Sequence, residues 1–273
     1  GETIQIGGAP TGPSGSSYLW TPSATLDNDT ASNPNATPTV TTEYIVTVTD
    51  SNGCVDMDSV LITVNPLPTI ITNNDTSVCI GTCAQLSASG ATGYIWTPGA
   101  TLNDSTIANP IACPTVTTTY TVTGTDANSC SDTASVTITI DPLPIVDAGP
   151  DVAVCIGDSV VIGGTPTGPA GSSYVWTPAL TLDDDTLANP TAFPTSNTQY
   201  IVVVTDSNGC IASDTVDVTV NPLPVADAGL DTAICVGVTV QIGGSPTGPI
   251  GSSYTWTPSA TLDDDTLANP NAT

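Results

Sequence analysis

Residues 172–195 read SSYVWTPALTLDDDTLANPTAFPT, and how this stretch is read decides the fold. Tyr174 and Trp176 flank Val175, so a period of two places both aromatics on one face of a strand. The run that follows is turn chemistry: Pro lacks an N–H, and Asp and Asn bond their own backbone. The phrase recurs as SSYTWTPSATLDDDTLANPNAT from Ser252, SSYLWTPSATLDNDTASNPNATPT from Ser16 and TGYIWTPGATLNDSTIANPIACPT from Thr92. Trp20, Trp96, Trp176 and Trp256 are thus 76, 80 and 80 residues apart. Periods of roughly 20–50 residues mean solenoids or propellers. A period near 80 lets each copy enclose a small core of its own.

Working outward in the third copy, SVVIGG (159–164) sets Val160 and Ile162 on one face, and a Gly/Pro/Ser loop leads to the Tyr-Val-Trp strand. TQYIVVVTD (198–206) and SDTVDVTV (213–220) are longer runs rich in Val and Thr, joined by the turn SNGC. In immunoglobulin-like order the strands are A (AVC, 153–155), B (159–164), C (YVW, 174–176), E (ANPTAFP, 188–194), F (198–206) and G (213–220). Alternation, β-branched residues and regular turn signals predict an all-β fold of tandem immunoglobulin-like sandwiches arranged head to tail as a rod. A Trp on the third strand and Tyr44, Tyr120 and Tyr200 near the start of the sixth are two hallmarks of that sandwich. NPLP at 65–68, DPLP at 141–144 and NPLP at 221–224 are stiff extended connectors. The expected domains are therefore 1–66 (lacking strand A), 67–142, 143–222 and 223–273 (lacking strands F and G), a cut from a longer array.

Composition narrows the function. The chain has 26 Asp plus Glu, no Lys, Arg or His, and a net charge of −26. Nothing can neutralise phosphates, so nucleic acid and anionic membrane surfaces are excluded as partners. No apolar run approaches a membrane span, so direct membrane insertion is not expected either. The usual catalytic bases, amines and oxyanion-stabilising cations are missing, and the carboxylates recur in every copy rather than once, so no enzyme is expected.

The Asp runs are the candidate site. Asp27 and Asp29, Asp183, Asp184 and Asp185, and Asp263, Asp264 and Asp265 offer hard oxygens of the kind Ca²⁺ takes. The competing reading is that these side chains cap turns through their own backbone. No cofactor is required on either reading, and calcium is the one ion these residues suggest.

Eight cysteines suggest an oxidising exterior. Cys83 begins strand B and Cys113 ends strand E, at one end of the second bead, which predicts a disulfide within it. Cys79, Cys155 and Cys235 follow strand A, and Cys54, Cys130 and Cys210 lie in the F–G turn. These positions are at opposite ends of a bead, about 30 Å apart over roughly ten residues of strand. Head-to-tail stacking would instead bring Cys79 to Cys210 of the next bead. Pairing within beads (Cys79 with Cys130, Cys155 with Cys210) and free thiols remain the alternatives.

The combination of WTP, ANPTAFPT, YIVTVTDSNGC, ITVNPLP and DAGPD resembles the PKD-like, immunoglobulin-like repeats of secreted cell-surface adhesins and gliding-associated surface filaments of Bacteroidota. The resemblance implies an extracellular, cell-attached array whose repeats act as stalk. Its partners would be neighbouring repeats of one long chain and other copies in a filament. It also implies O-glycosylation in Asp-Ser/Thr-apolar triplets, of which Thr30, Thr186 and Thr266 lie on the predicted loop. The expected function is a non-catalytic structural segment of a cell-surface filament or adhesin stalk. The alternative is a carbohydrate- or surface-binding adhesive module using tip loops such as PTGPSGSS.

Overall fold

The computed structural model describes residues 2–273. The chain divides into two compact units, residues 1–141 and 142–273. In the first, β1 (Ile4–Gln5) pairs with β3 (Asn35–Ala36), and a separate sheet runs β2 (Ser17–Thr21), β4 (Thr42–Thr49), β5 (Val55–Ile62). Ile6, Trp20, Ala36, Tyr44 and Val46 fill the space between them. The same unit then builds a second sandwich. β6 (Ile71–Thr72) pairs with β9 (Ala88–Ser89), and β8 (Ala84–Gln85) pairs with β11 (Ile111–Ala112). Opposite them lies a sheet in the order β10 (Gly93–Thr97), β12 (Thr118–Thr125), β13 (Ser131–Asp141), β7 (Thr76–Cys79). Its core is distinct and is centred on Trp96, Leu86, Tyr120 and Ile138.

The second unit repeats this plan. β14 (Val152–Cys155), β19 (Ile211–Asn221), β18 (Thr198–Thr205) and β16 (Ser173–Thr177) form one sheet, and β15 (Val160–Val161) pairs with β17 (Thr191–Ala192). Residues 223–273 add only the pair β20 (Val240–Gln241) and β21 (Asn271–Ala272) and one 3-10 turn. The alternation expected from the sequence holds in β18: Tyr200, Val202 and Val204 are fully buried while Ile201 and Val203 look outward. Trp176 pairs in register with Val202, and Tyr200 with Val216, so buried side chains meet across neighbouring strands in two successive rows. The fold is all-β with the strand order of an immunoglobulin-like sandwich.

Two features differ from the sequence reading, both for backbone reasons. Strand B, expected across 159–164, is regular only at Val160–Val161. Beyond it Gly163 takes a positive φ of 105°, and the Gly163 and Gly164 N–H groups donate to the Ala148 and Asp147 carbonyls. Strand A, read as one short strand, serves both sheets. Residues 147–148 lie on strand B; the chain then bends at Gly149 (φ 85°), and β14 runs parallel to β19, from Val152 opposite Val218 to Cys155 opposite Asn221. A Cβ on Gly149 would sit 2.9 Å from the Gly163 carbonyl oxygen, so only glycine fits this crossing. The Asp151 carboxylate accepts the Asp217 N–H at 2.9 Å beside the bend. Asp75 does the same for Thr137 at 2.8 Å in the second repeat.

One core contact is invisible in the sequence pattern. The Tyr200 hydroxyl, fully buried, shares a 2.6 Å hydrogen bond with the Thr181 hydroxyl. Thr25 with Tyr44 and Thr101 with Tyr120 form the same pair. Thr181→Val strands a buried phenol, whereas Tyr200→Phe leaves a half-buried threonine hydroxyl that water reaches. Chemical denaturation should show a loss of about 2 kcal/mol for the first and about 1 for the second, with the double variant costing less than their sum. Additive losses would mean the two hydroxyls do not act as a pair.

Candidate functional site

The loop that follows the Trp strand is built on the indole. The backbone N–H of Trp176 donates to the Asp185 carbonyl at 2.9 Å and its ring N–H to the Leu187 carbonyl at 2.9 Å. Trp20 reaches Asp29 and Ala31 in the same way, Trp96 reaches Ser105 and Ile107, and Trp256 reaches Asp265 and Leu267. A buried donor must be satisfied, so the distance in sequence from Trp to these carbonyls is fixed. Leu182 bridges to Ala192 behind this loop, and Ala192 is fully buried.

Each aspartate of the run has its own task. The Asp183 carboxylate accepts the Thr191 N–H at 2.7 Å, tying the loop to strand E. Asp27 accepts from Asn35 at 2.8 Å and Asp263 from Asn271 at 2.7 Å. Asp184 accepts both the N–H and the hydroxyl of Thr186, at 2.8 and 2.6 Å, and Asp264 does the same for Thr266. Asp29, Asp185 and Asp265 contribute backbone carbonyls to the Trp strand. In the second copy Asn103 stands at the first position and still accepts from Ile111, at 2.7 Å. In the first copy Asn28 stands at the second position and still accepts both groups of Thr30. An amide oxygen therefore does the work of the carboxylate, which makes acceptor geometry, not charge, the requirement.

In that arrangement the Asp runs cap their own turns. Among the described residues no three His, Cys, Asp or Glu side chains gather where they could hold a metal ion. The oxygens of Asp27, Asp183, Asp184, Asp263 and Asp264 point at N–H and O–H donors instead. Thr30, Thr186 and Thr266 are exposed, and each hydroxyl is engaged with the residue two positions before it.

The donors also lower the carboxyl pKa values. The Asn35 and Thr191 backbone N–H groups hold Asp27 and Asp183 below the ordinary 3.8, and the Asn271 side chain followed by its N–H does so for Asp263. For Asp104, Asp184 and Asp264 the threonine hydroxyl is the larger cause. In the F–G turn the Cys54 N–H lowers Asp50 most. Each depressed pKa contributes stability that is complete above the unfolded value of 3.8 and is lost as pH falls through the lower folded values.

Cys83 and Cys113 form a disulfide, with Cα atoms 4.3 Å apart at the ends of facing strands. Cys79 is disulfide-bonded, and so is Cys210. Cys54, Cys130, Cys155 and Cys235 are free thiols. Among the described residues no helix is long and apolar enough to cross a membrane.

No protein-family model matches the chain, and no curated protein matches it. Solved structures do. A three-immunoglobulin-domain segment of titin, I67–I69 in an E-to-A variant, aligns over 81% of this chain and 93% of its own at 12% identity, with a TM-score of 0.40. The insect immune protein hemolin aligns over 81% and 72% at 14% identity and a TM-score of 0.34. Immunoglobulin domains 1–4 of Sidekick-1 align over 100% and 86% at 12% identity and a TM-score of 0.27.

Asp183→Asn, which copies Asn103, should leave the melting temperature near that of the parent, whereas Asp183→Ala should lower it. Adding calcium or a chelator should shift neither melting curve. A chelator-induced fall in the parent that Asp183→Asn abolishes would instead favour the metal reading.

Proposed function

We propose that this chain is a structural segment of an extracellular, cell-surface filament or adhesin stalk, of the PKD-like repeat type, with no catalytic role. The observation that carries this reading is repetition without a unique site. The Trp–Tyr–Ala core is built three times over in separate clusters, and the same loop bonds recur around every Trp. A catalytic or ligand site would be expected once, on residues that the other copies lack. The disulfides support an oxidising exterior.

The mechanical reading includes a cross-link between repeats, Cys79 of the second to Cys210 of the third. Such a bridge would carry tension past both central cores, and the net charge of −26 would keep neighbouring stalks apart at low salt. Partners on this reading are adjoining repeats and other copies of the same filament.

Single-molecule pulling from the chain ends tests both parts. Under reducing conditions residues 67–222 should release two separate steps of about 25 nm, one per repeat, at about 3.6 Å per residue. Without reductant the bridge should shield both steps. A single merged step under reductant would overturn independent beads, and full extension without reductant would overturn the cross-link. Clear binding of the chain on a glycan array would move the assignment to an adhesive module.

A further inference from the structure

On the outer face of the β16–β18–β19 sheet, three successive rows cross the strands in register. Ser173 meets Thr205 and Ile211, Val175 meets Val203 and Ser213, and Thr177 meets Ile201 and Thr215. Val175 is 52% exposed, Ile201 38%, Val203 36% and Ile211 56%. The remaining positions in these rows are Ser or Thr, and none is charged. Val203 stands opposite Val175 and diagonal to Ile211, and Ile201 is the next outward residue along β18, so the four make one continuous apolar patch. Every strand of this sheet is in place, β14 included, so the exposure does not come from a missing neighbour.

The second repeat shows that the fold does not need apolar residues here. Ile201, Val203 and Ile211 correspond to Thr121, Thr123 and Ser131, on the same strands in the same register. Only Ile95 keeps the apolar character of Val175. Thr suits an exposed strand and keeps its surface wet. Val and Ile on the outside of the third repeat therefore serve neither its core nor its solubility, which is the mark of a contact surface. In the first repeat Leu19 and Ile45 stand where Val175 and Ile201 do, and both are exposed as well.

We propose that this face of the third repeat packs against the same face of a second copy of the chain. The occupant follows from charge. The chain carries 26 carboxylates and no cation, so two copies repel wherever those groups come together. A cationic partner is drawn to the loops that hold Asp183, Asp184, Asp185 and Asp206, and a neutral sheet offers it nothing. A partner that is itself polyanionic approaches best where carboxylates are absent. The first carboxylate along β19 on this face is Asp217, one row beyond Ile201, beside Gln199. Faces of β-branched side chains pack about 10 Å apart, as the two sheets of a sandwich do. A face that meets itself makes an isologous contact, which closes at two copies. Four partly exposed side chains offer less than the roughly 800 Å² per partner of a standard complex. A single pair of repeats therefore associates weakly, and chains lying side by side gain by repeating the contact. The proposal rests on the reading that copies lie alongside one another, and it names the surface they use.

The test uses the 273-residue chain with Cys54, Cys130, Cys155 and Cys235 replaced by Ser. Sedimentation equilibrium up to about 1 mM should show a reversible monomer–dimer equilibrium. The dimer should strengthen at about 1 M NaCl, where the Debye length falls to about 3 Å. The double variant Ile201→Thr, Val203→Thr copies Thr121 and Thr123 of the second repeat. It should weaken the dimer by about tenfold or more with the far-UV circular dichroism unchanged. Ser213→Cys, placed beside Val203, should give a disulfide-linked dimer under mild oxidant, whereas its counterpart Thr133→Cys on the second repeat should not. A chain that stays monomeric at both salt concentrations overturns the second copy as occupant. A dimer indifferent to the double variant, or cross-linked equally through position 133, overturns the face. The two unfolding steps expected on pulling do not depend on this contact, so its failure and failure of the stalk reading give different results.

Discussion

An indole buried in a β-sandwich brings two N–H groups away from water, and both must be bonded where the sheet offers no acceptor. In this chain the answer is a loop that returns across the Trp and presents carbonyls nine and eleven residues after it, as at Asp185 and Leu187 for Trp176. The loop must then hold its own shape. Asp183 pins it to strand E, Asp184 closes the turn onto Thr186, Leu182 bridges to Ala192, and Thr181 reaches the buried Tyr200 hydroxyl. Trp, Thr, Leu, Asp, Asn-Pro and Ala are therefore one unit, which explains why they are copied together. Trp256 keeps both bonds although it is only half-buried and faces no long strands, so the unit is assembled locally.

The absence of cationic side chains shapes the rest. With no ion pairs available, every carboxylate that is engaged is engaged by an N–H or O–H donor. Asp151 and Asp75 brace the strand crossing, Asp214 braces Ala148, and Asp206 holds the F–G turn through the Asn208 and Cys210 N–H groups. Such bonds survive at high salt better than surface ion pairs, because they are short-range and directional. The charge itself acts between molecules, as a repulsion that salt screens.

A strand that serves both sheets makes each bead depend on its preceding connector. Residues 145–155 leave the Pro-rich segment, seat Ala148 against strand B, turn at Gly149 and finish beside β19. Closure of a bead and its junction to the chain before it are thus the same event.

Much of this was legible in the residues. Period-two alternation named the strands around Trp176, Tyr200 and Val216, the 80-residue spacing named the repeats, and the places of Cys83 and Cys113 pointed to one end of a bead. The task of the Asp runs was not legible, because carboxylates in sequence say nothing about where their oxygens point. Only the fold showed them turned inward onto donors, with Asn103 and Asn28 doing the same work. The Thr181–Tyr200 bond and the double duty of strand A join residues 19 to 66 positions apart. Local pattern fixes which face of a strand is buried, since that needs only neighbours along the chain. Which strand lies beside which, and which edge is left open, depends on contacts between distant segments, and only the folded chain decides them.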